Sequence, residues 1–266
     1  MAPRTRSRRG RTTAGLVAGL TVLGLAAAAC GDDDTSTQAD GGSETATTEP
    51  APVIDPGDGG HYAPVIDPAN FVTTVDNPYM PLAAGARWAY DGTSDGEPEH
   101  TEVVVTDQQK VVMGIPVVVV RDTVSVRGDV IEDTYDWYAQ DRDGNVWYMG
   151  EDSKEYENGR VTSTEGSWEA GVDGALPGIV MQAHPAQGQA YRQEYYPGQA
   201  EDMAEVAKVG TTKTIGLGDY TDVLVIKEWN PLEPDVVEQK YYAPGIGVIA
   251  EDTVTGGDEQ SELTAT

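Results

Sequence analysis

The feature that most constrains the fold is a series of short segments rich in valine and tyrosine, which runs from about residue 70 to residue 266. Glycine, aspartate and proline separate these segments. Branched and aromatic side chains pack well on a pleated surface, so such segments favour extended backbone. The sequence therefore predicts an antiparallel all-β domain with little helix. The segments alone leave open whether the sheet forms a sandwich, a barrel or a half-barrel.

Alternation along the chain supports this prediction. In residues 134–141, TYDWYAQD, one face would carry Tyr135, Trp137 and Ala139, and the other face would carry the residues between them. Only residues 200–208 show apolar side chains at helical spacing, and this window could equally be an edge strand. We expect residues 70–266 to form a single domain.

The N-terminus indicates export and lipidation. Five arginines precede an apolar run from Ala14 to Ala29, which is short for a membrane span and typical of a signal peptide. The following LAAAAC resembles a bacterial lipobox. This resemblance implies that residues 1–29 are removed and that Cys30, the only cysteine, carries acyl chains such as palmitate on the outer face of the cell membrane. The alternative is an ordinary secretory signal with an incidental cysteine.

Residues 30–69 predict an acidic, disordered tether, because serine, threonine, glycine, proline and acids dominate them. The hexapeptide APVIDP occurs twice in this stretch, which is too few copies for a solenoid. Without the signal peptide the chain keeps 12 basic and 45 acidic side chains, a formal charge of −33. Phosphate backbones would repel such a chain, so nucleic acid is excluded as a partner. The predicted membrane contact depends on the acyl chains.

The stretch DRDGN, residues 141–145, resembles a calcium loop at first sight. Asp141, Asp143 and Asn145 alternate as the early ligands of an EF-hand do, but the glycine required sixth in such a loop stands fourth here. The flanking segments are strand-like, and Gly144 suits a tight turn. We predict a hairpin turn at these three weak metal candidates, and no metal site.

No catalytic constellation is recognisable. The three histidines accompany no G-x-S-x-G motif, and zinc, P-loop and dinucleotide patterns are absent. Glycoside hydrolysis needs a pair of carboxylates, but among 45 acids some pair is inevitable and therefore uninformative. The one acid that stands out is Glu169, because its sequence neighbours are apolar. The sequence predicts a protein that is not an enzyme and needs no cofactor.

Aromatic usage favours binding. The chain has 13 tyrosines and five tryptophans but one phenylalanine, and Tyr and Trp combine an apolar body with a polar tip. Simple sheet propensity is the competing explanation. The residues expected to line a ligand cavity of several hundred Å³ on a concave sheet are Tyr135, Trp137, Trp147, Tyr241 and Tyr242.

Two stretches resemble an uncharacterised family of actinobacterial secreted lipoproteins. NPYMPLAAGARWAYDG, residues 77–92, is similar to that family's N-P-Y-x-P-L opening, and YYAPGIGVIAED, residues 241–252, is similar to its Y-A-P-G-x-G motif. Residues 212–229 match more loosely. The resemblance implies a strongly curved antiparallel sheet, a half-barrel or a barrel, like those of lipoprotein-carrier domains. It implies no activity.

These observations predict a membrane-anchored extracytoplasmic lipoprotein whose domain is a binding module without catalytic activity. Its partner would be an apolar or amphipathic, lipid-like ligand, or a protein. Two other classes remain open from sequence, namely an acidic cell-envelope hydrolase acting on glycan and a purely structural surface protein.

Overall fold

The computed structural model describes residues 61–266. The signal peptide, Cys30 and most of the predicted tether lie outside this range. Packing against the sheet begins at Tyr62, whose hydroxyl donates to the carbonyl oxygen of Pro177 over 2.7 Å. Across the described residues, no helix has the length and apolar character needed to span a membrane.

Strands dominate the described chain, and the only helix in it is a 3-10 turn at Pro68–Asn70. The antiparallel all-β fold with little helix is therefore confirmed. Within residues 200–208 the chain enters a strand, so the strand alternative holds for this window. In chain order the strands are β1 Phe71–Val72, β2 Asp76–Asn77, β3 Met80–Pro81, β4 Arg87–Ser94, β5 Glu97–Val112, β6 Ile115–Val126, β7 Asp129–Asp141, β8 Val146–Glu157, β9 Arg160–Ser163, β10 Trp168–Glu169, β11 Leu176–Met181, β12 Ala190–Arg192, β13 Glu194–Tyr195, β14 Met203–Ile215, β15 Gly218–Asn230, β16 Glu233–Ala243, β17 Gly247–Thr255 and β18 Gln260–Ala265.

Sixteen strands form one sheet, whose main path runs β12-β14-β15-β16-β17-β18-β4-β5-β6-β7-β8-β11-β13. Its two terminal strands, β12 and β13, are consecutive in the chain, and only Gln193 separates them. β12 pairs with β14, whereas β13 pairs with β11. One short segment, residues 190–195, thus joins both ends of the sheet, and we call it the seam. The sheet is nearly closed and barrel-like.

A glycine permits the close approach at the seam. A Cβ atom built on Gly178 in β11 would lie 2.2 Å from the carbonyl carbon and oxygen of Gln193. Any larger residue would push the seam away from β11. Closure of the sheet therefore depends on this glycine.

The register separates the two faces of the sheet. Trp147 pairs with Ala139, so it shares a face with Trp137 two residues earlier on β7. Tyr138 pairs with Tyr148 on the opposite face, and their rings stack with centroids 5.1 Å apart. This second face forms the barrel interior.

The hairpin of β2 and β3 lies outside the large sheet and packs against it. Buried Asn77 holds it in place, because its side-chain amide donates to the carbonyl oxygens of Gly144 at 2.9 Å and Gln182 at 3.1 Å. The side-chain oxygen of Gln140 accepts the backbone N–H groups of Asp76 and Asn77, both at 2.9 Å. The hairpin is therefore fixed to β7 and to the turn that follows it.

Candidate functional site

The candidate site lies where the two sequence motifs meet in space. The backbone N–H of Gly245 donates to the carbonyl oxygen of Pro78 over 2.7 Å. The indole N–H of Trp88 donates to the carbonyl oxygen of Ile246 over 2.9 Å. Gly245 has a φ of 76°, a left-handed conformation that favours glycine. We call residues 77–90 together with 242–248 the motif junction.

A half-open apolar depression lies at the motif junction. Its volume is about 360 Å³ including the open mouth, but only about 20 Å³ admits the centre of a water molecule. This space holds about one water, well below the roughly 300–1,000 Å³ of ordinary ligand sites. The apolar side chains around it come from both motifs and from β7: Met80, Leu82, Trp88, Tyr138, Tyr242 and Ile246.

A polar depression adjoins the apolar one. It has a similar water-accessible space of about 20 Å³, and its polar side chains are Thr101, Asp122, Lys240, Glu251 and Ser261. Tyr90, Val103 and Val248 border both depressions. The Tyr90 hydroxyl donates to the carbonyl oxygen of Val248 over 3.1 Å, which fixes the ring between them. An apolar and a polar compartment thus share one wall.

Lys240 supplies a buried positive charge in the interior. It is 2% exposed on β16, with its ammonium nitrogen 2.7 Å from Glu228 Oε2 and 3.8 Å from Glu251 Oε1. Burial alone would lower the pKa of Lys240, but these carboxylates raise it well above its usual value. The lysine therefore stays charged and pairs with two neighbouring strands.

Several carboxyl groups are buried in the same interior as Lys240. Burial raises the pKa of Asp136 to about 7 and that of Asp202 to about 8. The Tyr148 hydroxyl donates to Asp136 Oδ1 over 2.8 Å. Within residues 61–266 no group of three or more potential ligands could hold a metal ion. Burial also raises the pKa values of four further acids: Glu151, Glu194, Glu238 and Glu251.

Sequence reasoning missed these interior acids. A signal for them exists in β7, where Glu132, Thr134 and Asp136 alternate with the face that carries Trp137. Alternating acids normally indicate a face in contact with water. Here both faces of β7 are covered, so the polar face is buried as well.

The structure divides the five candidate aromatics between the two faces. Only Tyr242 lies in the interior, where it borders the apolar depression. A cation lies over the rings of three of the others. The Lys110 ammonium is 3.6 Å from the centre of the Trp137 ring, and the Lys213 ammonium is 3.8 Å from that of Tyr241. The Arg121 guanidinium is 5.6 Å from the centre of the Tyr135 ring. The candidates placed on the face opposite the interior are Tyr135, Trp137, Trp147 and Tyr241.

Lys110 is also the ion-pair partner of Glu169. Its ammonium nitrogen lies 2.9 Å from Glu169 Oε2 while it covers Trp137. The side chain of Glu169 is 34% exposed. Glu169 is therefore one half of an ion pair on the face of the sheet that carries Trp137.

The DRDGN stretch forms the turn between β7 and β8. Asp141 Oδ1 accepts the backbone N–H groups of Asp143 at 3.0 Å and Asn145 at 2.9 Å. Its Oδ2 accepts the Asn145 side-chain amide at 2.9 Å and the Trp147 indole N–H at 2.8 Å. Four donors thus occupy the Asp141 carboxylate, and the motif acts as a hairpin cap.

No protein-family model and no curated protein matches the chain. Among solved structures, a Bacteroides fragilis protein described as exported, with a YmcC-like fold, has a TM-score of 0.40 and 16% identity over 70% of this chain and 96% of its own. A Parabacteroides distasonis protein described as a lipoprotein has a TM-score of 0.38 and 10% identity over 70% and 97%. Both likenesses are distant, and the fold assignment rests on the strand order of this chain.

Proposed function

We propose that this chain is a membrane-anchored extracytoplasmic lipoprotein whose β domain is a binding module without catalytic activity. The ligand is an amphipathic small molecule that places its apolar part in the depression at the motif junction. The observation that carries this proposal is the shared wall of Tyr90, Val103 and Val248 between an apolar and a polar compartment. A ligand with an apolar body and a polar end matches both sides.

The side chains at the mouth determine how a ligand enters. Trp88 and Ile246 are half-buried, and Met80 lies behind them on the hairpin outside the large sheet. Methionine adapts its shape readily. Because the present space holds about one water, a ligand must displace Met80 and Ile246. The barrel itself need not open for this step.

The polar compartment limits the choice of ligand. Lys240 is already paired with Glu228 and Glu251, so the charge it offers to an anion is neutralised. The acids beside it, Asp122 and Glu251, offer no positive charge to an anion. A neutral or cationic polar end therefore fits better than a phosphate or carboxylate. This distinguishes the proposed ligand from an intact anionic phospholipid.

The location of the protein follows from Cys30 and the signal peptide. Each buried CH₂ of an acyl chain contributes about 0.8 kcal/mol to membrane binding, and two chains anchor a protein stably. Such an anchor offsets the repulsion between anionic lipids and an acidic domain.

The binding proposal is tested with the neutral fluorophore N-phenyl-1-naphthylamine and the full-length protein. Its fluorescence should rise on binding, and Ile246→Asp should weaken this binding by at least tenfold. Leu217→Asp is the matched control, because Leu217 is 50% exposed in the turn before β15. Equal binding by both variants would reject the motif junction as the site.

A further inference from the structure

A carboxyl group of the seam, that of Glu194, lies beside the carboxyl group of Asp202. Glu194 belongs to the seam and is fully buried, while Asp202 immediately precedes β14. The backbone N–H of Gln193 donates to the carbonyl oxygen of Asp202 over 2.8 Å. The carboxyl groups of Glu194 and Asp202 are placed to share a hydrogen bond. Two ionised carboxylates have only acceptors, so this bond requires a proton.

No other group in the described chain replaces that proton. Neither side-chain oxygen of Glu194 receives a well-formed hydrogen bond from an N–H or O–H donor. The Trp168 indole N–H lowers the pKa of Glu194, but by less than burial and the nearby acids raise it. The pair is therefore held by a hydrogen bond that exists only while one member is protonated.

The charged groups around the pair are mainly acidic. Glu151 faces Glu194 from β8, and Asp202 interacts with Glu151 as well. Gln193 reaches inward, and its side-chain amide donates to Glu228 Oε1 over 2.9 Å. The remaining charged groups near the pair come from β15, β16 and the seam region: Glu228, Glu238, Lys240, Arg192 and Glu201.

The seam strands are the shortest on the main path of the sheet. β12 has three residues and β13 has two, whereas β14 has 13. Few backbone hydrogen bonds thus oppose separation of the seam from its neighbours. Repulsion between two adjacent carboxylates acts directly on this weak place.

We propose that closure of the barrel is proton-dependent: a proton shared by Glu194 and Asp202 keeps the seam joined to β11 and β14, and loss of this proton releases residues 190–195. Release of the seam uncovers Glu228, to which the Gln193 side chain donates in the closed barrel. The barrel then becomes an open curved sheet. The proposal does not rest on ligand binding at the motif junction.

The pKa values of Glu194 and Asp202 determine the direction of the pH effect and the pH range in which it occurs. Burial raises the pKa of Asp202 from 3.8 to about 8, and burial with the charges of Asp202 and Glu151 raises that of Glu194. Because these pKa values are raised in the closed state, the protonated pair stabilises closure fully at pH values below the ordinary pKa of the acids. The stability of closure is lost as the pH rises toward about 8.

Hydrogen–deuterium exchange of the full-length protein between pH 6 and pH 9 tests this proposal. After correction for intrinsic exchange, opening of the seam should increase by up to about tenfold per pH unit. Peptides from β5 and β6 should not change. Asp202→Asn should abolish the pH dependence, because an asparagine amide donates to an ionised Glu194 without needing a proton. Glu194→Gln should abolish the pH dependence in the same way.

Glu259→Gln is the matched control, since Glu259 also has a raised pKa, of about 7, but accepts from the Ser94 hydroxyl far from the seam. It should leave the opening of the seam unchanged. The proposal fails if wild-type seam peptides show no pH-dependent opening. It fails equally if Asp202→Asn retains that dependence. Should Glu194→Gln not fold, Asp202→Asn alone decides.

Discussion

The backbone N–H of Gly245 donates to the carbonyl oxygen of Pro78, and this bond joins motifs from opposite ends of the described chain. Replacing Gly245 with alanine should cost about 1–3 kcal/mol, because its φ of 76° strains a residue with a Cβ atom. Gly96→Ala is the control, since Gly96 has a φ of 73° in a hairpin turn and open space around it. Urea unfolding should show similar losses, whereas fluorophore binding should fall only for Gly245→Ala.

The buried Lys240 should contribute more to the free energy of unfolding than an exposed lysine does. Lys240→Met should lower the free energy of unfolding by about 3–5 kcal/mol, because Glu228 and Glu251 lose their partner in the interior. Lys227→Met should cost at most about 1 kcal/mol, since Lys227 is 39% exposed and 3.9 Å from Glu205. Chemical denaturation at pH 7 measures both. Similar losses would show that the interior pair contributes no more than a surface pair.

Acidity of the interior gives an unusual pH profile. The pKa of Asp136 rises from 3.8 to about 7 through burial, so its ionisation opposes folding as the pH increases between these values. Asp136→Asn should therefore gain stability relative to wild type at pH 8, by up to about 4 kcal/mol. At pH 4 the gain should vanish. Denaturation of both proteins at the two pH values measures the difference, and an equal effect at both would contradict the prediction.

The turn between β7 and β8 should depend on one aspartate. Asp141→Ala leaves four donors without an acceptor and should cost about 2–3 kcal/mol. Asp143→Ala removes no such side-chain bond and should change stability by less than about 0.5 kcal/mol. Calorimetric titration of wild type with calcium should give no saturable binding. Micromolar binding that Asp143→Ala removes would show a metal site instead.

Lipidation at Cys30 predicts a change of location. The Cys30→Ala protein should appear in the medium or stay unprocessed, because no acyl chain is attached. Fractionation and mass spectrometry of the mature N-terminus measure this, with Ala29→Gly as a control that keeps the cysteine. A processed Cys30→Ala protein that remains on the membrane would contradict the prediction.

The sequence predicted local structure better than closure or interior chemistry. Valine-rich alternation located the long strands, and Gly144 located a hairpin, since both depend on near neighbours in the chain. Closure is made by the strands on either side of Gln193, β12 and β13, and these are too short to show a periodic pattern in the sequence. The polar interior could not be predicted from the sequence. Asp136 and Glu151 are cross-strand partners, and only the register of β7 and β8 brings them together.

Closing the sheet through one short segment also affects how these molecules behave when they are crowded together. A sheet normally ends in two strands whose free backbone groups can pair with another molecule. Here both ends belong to residues 190–195, where the two strands offer only three and two residues to a neighbour. A dense population of such molecules should therefore resist growing into shared fibrils.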